Sequence, residues 1–242
     1  MLLQVNSALS EALSNTLEEN EAQWIQKIES LRTKLEHDTS EIIEESNSGS
    51  ESRTSIIKDI CKRDSKPAFW ALILFKIIRK IQPINALELG TCLGISTGYQ
   101  ASALLLNGRG KIVSLEGSKK RVQIARQNMN DLNLSNIEII PGLFVDTLDE
   151  ALEKVTPLDY CFIDGHHQKE PTIQYFEKML PYLSNESIVV FDDIVWTKGM
   201  KEAWEIIKRH ERVKYSFNLR TIGIVIINNT TISKQHYKFT LF

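Results

Sequence analysis

The chain has 242 residues, 42% of them hydrophobic and 25% charged, with a formal net charge of −2. That composition suits one large α/β domain with an appendage, and so balanced a charge gives no global attraction to nucleic acid or to a membrane surface. Cys61, Cys92 and Cys161 are odd in number and widely separated, which excludes a disulfide framework and a zinc spacing and points to a reducing compartment.

The N-terminus lacks a basic segment followed by an apolar one. The longest dense apolar run, Ala68–Ile78, is interrupted by Lys76 and is too short to span a bilayer. A cytoplasmic protein is expected. The charge is unevenly spread: residues 1–52 hold eleven acids and three bases, net −8, so the remaining 190 carry net +6. Residues 1–60 are therefore expected to be a helical arm with an acidic linker that folds back on its own body or on a partner's, and 61–242 the main domain.

Residues 7 to 37 read as one helix, with Leu17, Trp24 and Leu31 every seven residues and Ile28 and Leu35 offset by four. The stripe serves either packing on the parent domain or a homodimer. Asp38–Ser52, rich in Glu, Ser and Asn, reads as a linker or loop. Asp64-Ser65-Lys66-Pro67 is a helix start, and the helix it opens, Phe69 to Ile81, is apolar on most sides and expected to be buried. Pro83 ends it.

Strands and helices then alternate, the signature of a doubly wound, mostly parallel sheet. The strands are Ile84–Glu88, Lys111–Glu116, Asn136–Pro141, Asp159–Asp164 and Ser187–Asp192. Helices fall near Ser96–Asn107, Ser118–Leu132, Asp146–Val155, Glu170–Leu183 and Met200–His210. Val213–Leu219 and Ile222–Asn228 are joined too closely for a helical crossover, so they form an antiparallel hairpin at one sheet edge.

Ala86–Gly98, ALELGTCLGISTG, is a strand, a glycine turn and a helix N-terminus, where free N–H groups and the helix dipole face a ligand. The middle glycine of a dinucleotide fingerprint is missing, and an acid, Glu88, stands two residues before Gly90. An acid there repels a pyrophosphate and suits an ammonium, as in S-adenosylmethionine. Glu116 ends the second strand and suits ribose hydroxyls. Four of the strands end in acids, a cluster that repels itself unless ligands or a cation compensate. Asp164, Asp192 and Asp193 suit a hard, oxygen-loving ion such as magnesium; the alternative is capping by Asp192 or Asp193, with Asp164 orienting the ligand's amino group. His167, three residues past Asp164, is the candidate general base, whereas His166 is assigned a structural role. Trp196 and Trp70 either wall a substrate cavity or belong to the core.

Leu87-Glu88-Leu89-Gly90-Thr91 with Gly94 and Ser96, Glu116-Gly117, Phe162-Ile163-Asp164-Gly165-His166-His167 and Phe191-Asp192-Asp193-Ile194 resemble class I S-adenosylmethionine-dependent methyltransferases. More narrowly, they resemble the catechol and caffeoyl-CoA O-methyltransferase group and its bacterial relatives. The similarity spans about Ser65 to Asn228. It implies a seven-stranded sheet of order 3-2-1-4-5-7-6. It assigns the methionine part of the cofactor to Glu88, Gly90, Thr91, Gly94 and Ser96, and the ribose to Glu116 with Gly117. Gly142 to Phe144 would lie beside adenine, and Asp164, Asp192 and Asp193 would match the metal triad, whose third member is Asn in better-known relatives. Two positions depart from the pattern: the catechol enzyme has a lysine base where this chain has His167, and the usual acid facing adenine is Leu143. The implied reaction is magnesium-assisted methylation of a small-molecule hydroxyl. The rivals are a metal-independent methyltransferase using His167, a non-catalytic binding protein on the same fold and, more remotely, a nicotinamide dehydrogenase.

Overall fold

The computed structural model describes residues 1–45, 52–229 and 233–239. Two N-terminal helices, α1 (Leu2–Leu13) and α2 (Glu19–Glu36), precede a two-stranded antiparallel hairpin of β1 (Glu41–Glu45) and β2 (Ser52–Ile56). Helices α3 (Ile57–Asp64) and α4 (Ala68–Ile81) follow. Then come β3 (Asn85–Leu89), α5 (Ile95–Leu106), β4 (Lys111–Glu116), α6 (Lys119–Asp131), β5 (Ile137–Pro141) and α7 (Phe144–Lys154). The chain closes with β6 (Leu158–Ile163), α8 (Lys169–Met179), β7 (Leu183–Phe191), α9 (Lys198–Ile207), β8 (Val213–Leu219), β9 (Ile222–Asn228) and β10 (Gln235–Lys238). Among the described residues no helix is long and apolar enough to cross a membrane.

The main sheet runs β10-β8-β9-β7-β6-β3-β4-β5. It has eight strands rather than the expected seven, and its order differs by the added edge strand β10, which pairs parallel with β8. The β8–β9 hairpin is antiparallel, as its short connection requires. Period-two alternation divides the buried residues between the two faces. On β6, Tyr160 and Phe162 join the core under α1 to α6, while Cys161 and Ile163 join the core under α7, α8 and α9.

The single helix expected over residues 7–37 is two. Ser14, Asn15 and Thr16 interrupt it: the Ser14 hydroxyl donates back to the Ser10 carbonyl at 2.8 Å, and Asn15 turns left-handed at φ 49°. Such side chains compete with the helical ladder. A reciprocal Glu18/Glu21 capping box then starts α2. The expected linker, Asp38–Ser52, holds β1 and the first residue of β2, and its residues 46–51 lie outside the described residues. The start read at Asp64 is instead the end of α3, with Pro67 capping α4.

The apolar stripe of the arm is spent within the chain. Ile28, Leu31 and Leu35 of α2 and Val5, Leu9 and Ala12 of α1 are buried in the same core as α4 and α5. Being covered by α1 on one side and α5 on the other, α4 buries even Lys76, whose ammonium meets Glu11 at 3.1 Å and Glu21 at 2.5 Å.

Candidate functional site

Parallel strands put their carboxyl ends on one rim, and the helix before each strand starts at that rim. The ends of β3, β4, β6 and β7 and the segment before α4 therefore meet. They enclose a cavity of about 590 Å³ lined by Gly90, Thr91, Ser96, Glu116, Phe144, Asp164, His166, His167, Asp192, Asp193 and Trp196, together with Lys66 and Arg121. That volume lies within the range of small-molecule sites, roughly 300–1,000 Å³.

The turn after β3 needs its glycines for different reasons. Gly90 has φ +109°, and a Cβ there would sit 2.0 Å from the Asp164 carbonyl oxygen, so β3 and β6 close the floor of the cavity only around a bare α-carbon. Gly94 has φ +89° and opens α5; a Cβ on it would lie 2.9 Å from Met129 of α6. Gly94 shapes the turn without lining the cavity.

Glu88 does not reach the cavity. Its carboxylate is fully buried beneath α5 and accepts from Ser96 (2.7 Å), Thr97, Gln100 (2.6 Å) and Ser114 (2.6 Å). Burial pushes its pKa up despite those four donors. Glu88 therefore ties β3, β4 and α5 together from beneath the turn, which corrects its assignment as a direct ligand. Glu116, by contrast, lines the cavity while accepting the Cys92 and Ser118 backbone N–H groups at 2.8 Å each, which aims its carboxylate; burial outweighs these bonds and raises its pKa. Gly117 is exposed beside it and does not line the cavity. Gly142 has φ +144°, and a Cβ there would meet Thr147 at 2.6 Å, so it bends the chain after β5 and likewise stays off the wall.

The rim's acids are held by a lysine that sequence reasoning read only as part of a helix start. The Lys66 ammonium lies 3.2 Å from Asp164 and bonds Asp192 directly. Burial lowers the lysine's proton affinity, but the two carboxylates outweigh it and its pKa is raised. Burial and the facing Asp192 push Asp164 up, against Lys66. His167 lies 3.6 Å from Asp164 and 3.7 Å from Asp193, with the Trp196 ring edge-on at 5.1 Å; burial holds its pKa below the ordinary histidine value. His166 bonds the Tyr175 hydroxyl at 2.6 Å, in keeping with its structural assignment. Trp196 is 66% exposed at the mouth, whereas Trp70 packs against the core.

Among the described residues no three His, Cys, Asp or Glu side chains are arranged to hold a metal ion. Asp193 faces His167, and the pair Asp164 and Asp192 already encloses an ammonium, so a divalent ion would have to share their oxygens with a positive charge. The expected magnesium triad does not fit this donor set. A basic residue before a helix that runs antiparallel to β3 was the available signal for Lys66, because such a helix begins at the ligand rim.

Residues 87–194 match the protein family described as Methyltransferase domain. The match covers somewhat less than half of the chain. The chain is 34% identical over 116 residues, 47% of this chain and 51% of the relative, to a catechol O-methyltransferase of Niastella koreensis. It is 22% identical over 139 residues, 56% of this chain and 64% of the relative, to a probable cobalt-precorrin-6B C(15)-methyltransferase (decarboxylating) of Sulfolobus acidocaldarius. It thus spans about half and under two thirds of these curated relatives. Its fold is similar to the O-methyltransferase from Bacillus cereus in complex with SAH, with TM-score 0.63, 20% identity, and 94% and 99% of the two chains covered.

Proposed function

We propose that the protein is an S-adenosylmethionine-dependent O-methyltransferase acting on a small-molecule hydroxyl. One observation carries this reading: the glycine turn, Glu116 and the His167–Asp164 pair, from three separate strand ends, wall one cavity. The residues fit the cofactor. The positive φ of Gly90 brings backbone to the cavity wall, Glu116 offers a carboxylate to ribose hydroxyls, and Ser96 and Thr91 lie beside the turn. Phe144, packed edge-on to Tyr175 at 5.9 Å, offers an aromatic wall where adenine is expected.

When bound, the cofactor supplies a methyl group made electrophilic by its positive sulfur. The chain does the rest by position and charge. His167, whose cation burial disfavours, accepts the acceptor's hydroxyl proton. Asp164 and Asp193 flank its ring at 3.6 and 3.7 Å. Trp196, exposed at the mouth and in contact with His167, covers the acceptor's apolar body. The magnesium-assisted form of the reaction, implied by the resemblance, is not adopted because the carboxylates already hold Lys66.

Isothermal calorimetry with S-adenosylhomocysteine tests the reading. Micromolar binding by the wild type, weakened at least about tenfold in Glu116→Ala, is expected. A wild type that binds nothing leaves a methyltransferase fold serving as a binding protein.

A further inference from the structure

Lys66 is the one cation among the described residues that touches both Asp164 and Asp192. Its side chain is only 10% exposed, yet it lines the cavity. Its placement is built rather than incidental. Pro67 starts α4 immediately after it, and the Arg32 guanidinium of α2 donates to the Lys66 carbonyl at 2.7 Å. Arg32 is in turn fixed by Glu29 at 2.9 Å, whose carboxylate also receives the buried Tyr99 hydroxyl at 2.8 Å. The N-terminal arm thus holds this backbone at the rim through Arg32 and Glu29, which Tyr99 of α5 braces from behind.

An ammonium carries three N–H donors. The two aspartates take two, leaving one for an acceptor oxygen in the cavity. A divalent ion offers several coordination positions and so favours a chelating pair of oxygens, whereas one remaining N–H serves a single oxygen. We propose that the Lys66 ammonium is the resident cation of the acceptor site, holding the reacting oxygen of a substrate with one acidic hydroxyl, such as a phenol. Methyl transfer then needs neither a divalent ion nor a second, vicinal hydroxyl. This rests on the methyltransferase reading above. In the step, the acceptor O–H gives its proton to the His167 imidazole and the oxygen lone pair forms the O–CH₃ bond. The C–S bonding pair remains on sulfur as a neutral thioether. Lys66 exchanges no proton; its N–H stabilises the oxygen as negative charge develops there.

The probes are 4-nitrophenol and 4-nitrocatechol, whose phenolate forms absorb visibly, added to full-length protein with S-adenosylhomocysteine and excess EDTA below the pKa of the free phenol. The wild type is expected to bind both and to show the phenolate band, which Lys66→Met abolishes and Lys66→Arg retains in part. Turnover of the same phenols with S-adenosylmethionine should persist in EDTA and fall about 100-fold in Lys66→Met. Calorimetry with S-adenosylhomocysteine reports whether each variant is folded, and Lys66→Arg keeps the test decisive if Lys66→Met is not. A phenolate band that survives in folded Lys66→Met, that requires added Mn²⁺ in the wild type, or that appears with 4-nitrocatechol and not 4-nitrophenol overturns the proposal. Wild-type protein that binds no S-adenosylhomocysteine overturns the methyltransferase reading and this proposal together; one that binds it and fails the phenolate test overturns the role of Lys66 alone.

Discussion

Gly90 shows how little latitude the rim allows. Its φ of +109° is strained for any L side chain, and a methyl group there would overlap the Asp164 carbonyl at 2.0 Å. Gly90→Ala must push β3 and β6 apart where they close the cavity. A loss of at least about 2 kcal/mol in urea unfolding is expected, with S-adenosylhomocysteine binding weakened further than stability alone explains. A variant with wild-type stability and affinity would mean the turn is free to re-form elsewhere. Glu88 and Glu116 show why residue type alone did not settle roles. Both are acids at strand ends, but Glu88 points into the layer under α5 and is saturated by four donors, while Glu116 stands at the cavity wall.

At the scale of elements, the first two helices are bound by charge as well as by apolar packing. Lys76 is 2% exposed and Glu21 4%, and Arg79 shares Glu21 at 2.9 Å. Removing one partner of a buried ion pair leaves the other desolvated and uncompensated, which costs far more than an exposed pair is worth. Glu21→Gln is therefore expected to lower unfolding free energy by about 3 kcal/mol in chemical denaturation. A change under about 1 kcal/mol would show that Glu11 alone suffices for Lys76. Because α2 also carries Arg32, loosening it should reach the Lys66 backbone.

Across the whole molecule, opposite pKa shifts divide the chain into two regions. Glu11, Glu21, Glu44 and Asp64 are buried to different extents, which raises their pKa, but hydrogen bonds from Lys80 and Lys76, from Lys76 and Arg79, from Arg121 and Ser55, and from Arg63 with the Arg121 charge outweigh that and lower it. A carboxylate with a depressed folded pKa contributes stability that is complete above its ordinary value, near 4, and lost as pH falls through the folded value. The rim acids Glu88, Glu116 and Asp164 are raised, so their contribution runs the other way and acid relieves them. Hydrogen exchange followed by mass spectrometry from pH 6 downward should therefore show α1, α2 and the β1–β2 hairpin losing protection below about pH 4, before the central sheet. Simultaneous loss would refute this ordering.

Local chemistry made much of the fold legible. The apolar runs of β3 to β9, the glycine turn after β3 and the short β8–β9 connection each depend on residues a few positions apart, so the parallel sheet with its antiparallel edge was readable. The break at Ser14 to Thr16 was missed because the heptad positions, Leu17 to Leu35, all lie after it and do not mark where their helix begins, and β10 because a four-residue edge strand has almost no pattern of its own. Strand-end placement puts Glu116, Asp164, His167, Asp192 and Asp193 around one cavity. What the chain alone determined is thus the sheet, its ligand rim and the acids along it, since these follow from nearest-neighbour sterics and alternation. Only the tertiary structure decided which acids face the cavity and what balances them. Lys66 and Asp192 are 126 positions apart, and no periodicity encodes a contact that exists only once α4 has been laid antiparallel to β3 and clamped by the arm.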